Sequence, residues 1–201
     1  MLGPIALVWF AAAYLAGLTG VFATPPGEPP IALGLAAGVP PLAALVALRV
    51  APRFRAWAAS LDLRLLISIQ GWRVGGFVFV AFWAQGLLPG GFALPAGLGD
   101  MTVAVLAPFV AAHLARNTFL AWTALGILDL VSAVTLGVLH SFTEPSMEIV
   151  SLLPLSLVPT FAVPFLLVVH LLSLAAFDRS SEIGRQRHVV DRGGRHPLTQ
   201  G

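Results

Sequence analysis

Long apolar runs, separated by short polar or proline-rich segments, make up most of the chain. A helix needs about 20 apolar residues to cross a hydrocarbon core of roughly 30 Å. Six runs are candidates, and they cover residues 4–23, 31–50, 69–88, 101–114, 118–139 and 151–177. The fourth run is short for a span unless residues 97–100 also lie within the bilayer. The pattern predicts an all-α, polytopic membrane bundle with six transmembrane helices.

Residues 51–68 differ from the runs on either side because charged and apolar residues are mixed. Phe54, Trp57, Leu61 and Leu65 share one helical face, whereas the arginines lie elsewhere. This segregation is typical of an amphipathic helix on a membrane surface, in contact with anionic lipid. The prediction is therefore an interfacial helix between spans two and three. A loop helix packed on the bundle explains the pattern equally well.

The segment 89–100, PGGFALPAGLGD, joins the third and fourth runs and contains two prolines and four glycines. Proline removes a backbone donor and glycine is a poor helix former, so we predict a non-helical stretch between spans three and four. Lipid cannot satisfy such a backbone, which must lie at the interface, against protein or around a wet cavity. Asp100, at its end, is expected to cap the next helix. It is also a candidate, with Gln85, to line an outward-facing vestibule.

The charge pattern supports this span count. Only 10% of the 201 residues are charged, against roughly a quarter in soluble domains. The loops after spans one, three and five contain no arginine, whereas the segments after spans two, four and six do. The positive-inside rule therefore predicts a multi-pass protein of the cell inner membrane with both termini cytoplasmic. A signal peptide is the competing interpretation of the first run, although that run lacks a charged n-region.

The sequence predicts a folded transmembrane domain followed by a disordered tail. Residues 1–177 form the transmembrane domain, and residues 178–201 are polar and nearly free of apolar residues, so we predict a disordered cytoplasmic tail. The chain has no cysteine and a net charge of only +2, which excludes thiolate metal sites and gives no nucleic-acid footprint. The expected partners are the lipid bilayer and a small molecule or protons, and the sequence is compatible with a homo-oligomer.

Polar residues within the apolar runs are the candidates for an interior site. A charged side chain near the bilayer centre costs roughly 2.5–3.5 kcal/mol, so we expect it to have a structural or functional role. The candidates are Gln70, Arg73, Gln85, Asp100, Asn117, Asp129 and His170. Asp129 lies about half-way along span five, and Arg73 can either reach it or extend to the cytoplasmic interface. A pair between them would fix helix packing or act as a counter-ion for substrate or proton.

His170 has three interpretations. The simplest is a buried histidine that is hydrogen-bonded to a neighbouring helix. Proton transfer is the second, because an unperturbed imidazole titrates near neutral pH. Haem ligation is the third, with His113 as the second axial ligand. The spacing of the two histidines in the sequence gives the haem interpretation no specific support.

Three functions fit these features. The first is a membrane protein that binds or translocates a small molecule or protons through a polar site in the bundle. The second is a membrane-embedded enzyme, or a redox protein that binds haem or quinone, although HExxH, GxSxG and phosphate-binding glycine loops are missing from the sequence. The third is a structural or assembly subunit of a membrane complex, in which the polar residues only hold helices together.

Overall fold

The computed structural model describes residues 2–25 and 27–193, which contain helices but no strands. In chain order the helices are α1 (Leu2–Leu18), α2 (Ile31–Val50), α3 (Pro52–Ala59), α4 (Leu63–Ile69), a 3₁₀ helix (Gln70–Gly76), α5 (Phe77–Ala84), α6 (Gly90–His113), α7 (Arg116–Ser141), a second 3₁₀ helix (Pro145–Ser151), a π-helical turn (Val158–Ala162) and α8 (Val163–Gly193).

Five segments in the described part of the chain are long and apolar enough to cross a membrane. They are Ile31–Val50, Leu63–Ala84, Gly90–His113, Arg116–Ser141 and Val158–Arg179. The protein is therefore an all-helical membrane protein with five candidate spans. The apolar helix α1 has only 17 residues, so the prediction of six spans is not confirmed.

The third span begins earlier than residue 69. Asp62 is the N-cap of α4, and its carboxylate accepts hydrogen bonds from the backbone N–H groups of Arg64, at 2.9 Å, and Leu65, at 3.3 Å. From this cap α4, the first 3₁₀ helix and α5 follow one another to Ala84. Only α3 then remains as a separate helix between spans two and three. It packs against α2 and α8, and its predicted position on the membrane surface is not confirmed.

The prediction of a non-helical stretch at residues 89–100 is wrong. Pro89 is the N-cap residue of α6, and the helix runs through Pro95 and all four glycines of the stretch. The glycines serve close packing instead, since a residue without a Cβ lets two backbones approach. A Cβ on Gly97 would lie 2.7 Å from the carbonyl oxygen of Gly76, and one on Gly90 would lie 2.8 Å from the indole nitrogen of Trp83. Asp100 is consequently not an N-cap but a mid-helix residue.

The start of the last span is irregular. The N–H of Val163 bonds to the carbonyl of Val158, five residues earlier, which closes a π-helical turn. Pro164 has no N–H to donate to the carbonyl of Thr160, four residues before it. The indole N–H of Trp9 donates to that oxygen at 3.2 Å. The Thr160 carbonyl, to which Pro164 cannot donate, is thus satisfied by Trp9, and this hydrogen bond attaches helix α1 to the bundle.

Helix α8 extends beyond the predicted end of the transmembrane domain at residue 177 and reaches Gly193. The predicted disordered tail covers residues 178–201, of which residues 194–201 lie outside the described residues. The division into a membrane domain and a cytoplasmic tail stays a prediction.

Buried apolar residues form separate clusters in the two halves of the bundle. We call the half that contains the start of α4 and the end of α6 the packed half. Its core joins α3, α4, α6, α7 and α8 and includes Leu66, Val103, Phe119, Val169 and Leu172, each of which is at most 1% exposed. The half that contains the start of α6 and the end of α7 is called the cavity half. A second core there is built around Phe79, Phe92 and Met147.

Candidate functional site

The guanidinium group of Arg73 is the centre of a buried polar site. Its side chain is 0% exposed. Nε donates to Asp100 Oδ1 at 2.7 Å, Nη2 donates to Asp129, and Nη1 contacts both the carbonyl of Gly126, at 3.2 Å, and Nε2 of His170, at 3.3 Å. Four of the five N–H groups of the guanidinium therefore have partners, which lie on α6, α7 and α8. We call Arg73, Asp100, Asp129 and His170 the ionic cluster.

Each member of the ionic cluster lies near the middle of its helical span. Arg73 does so because the third span starts at Leu63, whereas in the predicted span of residues 69–88 it would lie about one helical turn from the start. A lone charge at this depth is costly, so pairing by charge-assisted hydrogen bonds is expected. Removing one partner of a buried ion pair typically costs about 3–5 kcal/mol, since the other charge is left buried and uncompensated.

Glycines make room for the ionic cluster. A Cβ added to Gly99 would collide with the carboxylate of Asp129, and one added to Gly126 would collide with the imidazole of His170. A Cβ on Gly76 would lie 2.5 Å from the Cβ of Asp100. The helices can bring these charged side chains together only because small residues face them.

Two buried polar atoms beside the ionic cluster lack a hydrogen-bond partner within the described ranges, namely Gln70 Oε1 and His170 Nδ1. Gln70 Nε2 donates to the carbonyl of Leu166 at 3.1 Å, one helical turn before His170. Because Nε2 of His170 accepts a hydrogen bond from Arg73, the ring hydrogen of this histidine is on Nδ1. The imidazole is neutral in this arrangement, and its ring centroid lies 5.2 Å from that of Trp122.

A cavity of about 80 Å³ lies in the cavity half and has Asp100 at its inner end. A single water needs only about 10–15 Å³ by this measure, so the cavity has room for several waters or a small ligand. On α6 it is lined by Phe92, Ala96 and Asp100, which are spaced four residues apart and so extend about 12 Å along the helix axis. Its walls come from α2, α5, α6, α7 and the π-helical turn, and residues at its mouth include Thr24, Ser141, Glu144 and Glu148.

The structure separates some of the predicted site residues from the ionic cluster. Gln85 and Asn117 are exposed at helix ends. Gln85 is not among the residues that line the cavity next to Asp100, so the vestibule between these two residues stays a prediction. His113 is exposed at the last residue of α6, about 20 Å along the helix axis from the level of Asp100. A haem between His113 and His170 does not fit, because Nε2 of His170 is engaged by Arg73. No group of three or more metal-ligating residues occurs in the described part of the chain.

Sequence reasoning missed two features of this site. One is the contact between Asp100 and Arg73, which requires residues 89–100 to be helical. The other is the role of Gly76, Gly97 and Gly99 in bringing the helices together. Pairs of small residues at helical spacing, such as Gly97 with Ala93 on α6, were the available signal for these contacts.

Comparison with known proteins adds a family to this description. Neither the curated proteins nor the solved structures include a match to the chain. A family model matches residues 30–177, which run from the start of α2 to the membrane-embedded part of α8 and include the whole ionic cluster. Helix α1 lies outside the match. The chain belongs to the family described as "Domain of unknown function (DUF8737)".

Proposed function

We propose that this membrane protein binds a small molecule in the cavity above the ionic cluster. The observation that supports the proposal best is the position of Asp100, which lines the cavity and at the same time holds Arg73. Ligand sites are usually concave, mostly apolar and equipped with a few polar groups that orient the ligand. The cavity has this composition, with Phe79, Phe92 and Leu130 along its walls.

A purely structural role for the cluster explains less of the geometry. A clamp between helices needs one buried pair, and Arg73 with Asp129 already supplies it. The Asp100 side chain is nevertheless 17% exposed, although it lies at the middle of α6. An ionic group at this depth that stays accessible from a cavity is typical of a ligand or ion pathway.

Among the described residues, the cavity reaches the cluster from the side of the cavity half. On the other side the packed half fills the space between α4, α6, α7 and α8. Translocation would require a second conformation in which this packed half opens, so binding is the function that the geometry supports best. The arginine pattern supports an orientation in which the cavity opens to the outside of the inner membrane, both termini are cytoplasmic and α1 is a sixth span.

The proposal is tested by thermal unfolding of the detergent-purified full chain with two probes of equal shape. Choline is cationic, and 3,3-dimethylbutan-1-ol replaces its nitrogen with carbon. A ligand that binds the folded protein raises its stability by about 2.7 kcal/mol at 100 times its Kd. We expect at least one probe to raise the Tm of the wild-type protein in a saturable manner.

Two variants on α7 localise the effect. Ala133 lines the cavity, whereas Ala124 is exposed on the same helix away from it. Ala133→Phe should abolish the Tm increase by filling the cavity, and Ala124→Phe should retain it. If neither probe stabilises the wild-type protein, or if Ala133→Phe responds as strongly as the wild type does, the proposed binding site is wrong.

A further inference from the structure

We infer that the ligand of this cavity is a compact organic cation. The inference rests on the proposed function, and it concerns only the charge and shape of the ligand. Its starting point is the charge of the groups that the ligand would meet. All cavity-lining residues belong to the described part of the chain, and they include Asp100, Glu144 and Glu148 but no arginine, lysine or histidine.

The ionic cluster contains two carboxyl groups but only one guanidinium group. Arg73 carries a single positive charge, and it is shared between the carboxylates of Asp100 and Asp129. His170 is neutral in this arrangement because its Nε2 accepts a hydrogen bond from Arg73. When both carboxyl groups are ionised, two negative charges face one positive charge in a low-dielectric setting, where an uncompensated charge is expensive. A cation in the cavity supplies the missing charge.

Asp100 is the carboxylate that such a cation would reach. Its Oδ1 accepts from Arg73, whereas its Oδ2 has no hydrogen-bond partner among the described residues. Asp129 does not line the cavity, although it shares the same guanidinium group. The roles of the two acids thus differ: Asp100 contacts the ligand, and Asp129 shares the charge of Arg73 with Asp100.

The walls favour an organic cation over a hydrated metal ion. The side chains that line the inner part of the cavity are mainly apolar, and they include Phe79 and Phe92, whose ring centroids are 5.5 Å apart. Metal ions such as Ca²⁺ need six or more oxygen ligands, which the apolar lining next to Asp100 does not supply. Quaternary ammonium groups, by contrast, bind well beside aromatic rings through cation–π attraction and apolar contact.

The test compares three water-soluble probes of similar size on the detergent-purified full chain. They are choline, the neutral 3,3-dimethylbutan-1-ol and the anionic 3,3-dimethylbutanoate. We expect the concentration that gives half of the maximal Tm increase to be at least about tenfold lower for choline than for the alcohol. The carboxylate should produce no increase.

Two variants then identify the source of the preference. Asp100→Asn should bring the choline and alcohol concentrations close together, because it removes the carboxylate that the cation meets. Asp129→Asn should also reduce the preference for choline over the alcohol, since the charge of Arg73 can then neutralise Asp100 completely. Asp129→Asn leaves the cavity lining intact, so it remains informative if Asp100→Asn does not fold.

The outcomes separate the two proposals. Equal stabilisation by choline and the alcohol in the wild-type protein overturns the inference of a cationic ligand but leaves the binding site standing. An absence of stabilisation by all three probes overturns the proposed function itself. A choline preference that persists unchanged in both variants overturns the assignment to Asp100 and the shared guanidinium.

Discussion

Adjacent glycines in the first 3₁₀ helix allow a sharp test of the packing around the ionic cluster. Gly76 is buried against α6, where a Cβ would lie 2.5 Å from the Cβ of Asp100 and 3.0 Å from the carbonyl oxygen of Gly97. Gly75 is exposed, and a Cβ there meets nothing within 4 Å. We predict that Gly76→Ala destabilises the protein and that Gly75→Ala does not.

The magnitude follows from the geometry. Non-bonded carbon atoms prefer separations of about 3.5–4.0 Å, so the new methyl group on Gly76 would be about 1 Å too close to Asp100. Its second neighbour is backbone, which cannot rotate away. Overpacking of this kind typically costs about 1–3 kcal/mol. The gain in helix propensity from replacing glycine with alanine is similar at both positions, so it largely cancels in the comparison.

The assay is thermal unfolding of both variants in the same detergent. For a chain of this length a free-energy difference of 1 kcal/mol corresponds to about 2–4 °C in Tm. Gly76→Ala should therefore unfold about 2–12 °C below Gly75→Ala. Equal Tm values would show that the 3₁₀ helix and α6 are not in the close contact described above. The reasoning about the glycines around the ionic cluster would then be refuted.

Two further predictions concern hydrogen bonds at the edges of the bundle. Trp9→Phe should lower the free energy of unfolding by about 1 kcal/mol, because the Thr160 carbonyl loses its indole donor. The control is Trp72→Phe, at a residue that is 85% exposed, which should change the Tm little. Equal effects of the two substitutions would contradict the assigned hydrogen bond. Asp62→Ala should lower the free energy of unfolding by about 0.5–2 kcal/mol, because it removes the cap of α4. Asp62→Asn keeps an acceptor oxygen, so its Tm should stay near that of the wild type. A loss in Asp62→Asn as large as that in Asp62→Ala would argue against capping.

Apolar runs predict the membrane-crossing helices well, because a segment in lipid must satisfy its backbone hydrogen bonds internally. The predicted span 31–50 coincides with α2. The third span is the instructive exception. Arg64 and Ser68 make residues 63–68 look like part of the amphipathic segment, yet both side chains are exposed on a helix that starts at Leu63. The true boundary is set by the cap at Asp62, which hydropathy does not register.

The ionic cluster is predictable only in part. Arg73, Asp129 and His170 stand out in the sequence because polar groups inside apolar runs are costly, and the structure brings these three together. Asp100 is misread because local rules treat proline and glycine as helix breakers. In this protein the glycines are needed for contact between α6 and its neighbours, and that need becomes visible only once the helices are packed. The cavity likewise depends on several helices and has no signature in any one of them.

The π-helical turn has a consequence for the size of the cavity. Val158 and Val163, which the turn joins, both line that space. A π turn holds one residue more than an α turn, which changes the angle around the axis between the two ends of the turn by about 100°. In a regular α-helix, residues five positions apart differ by about 140° around the axis, so the π turn brings Val158 and Val163 towards the same side. The width of the cavity at this point therefore depends on the backbone register of the turn as well as on the two valine side chains.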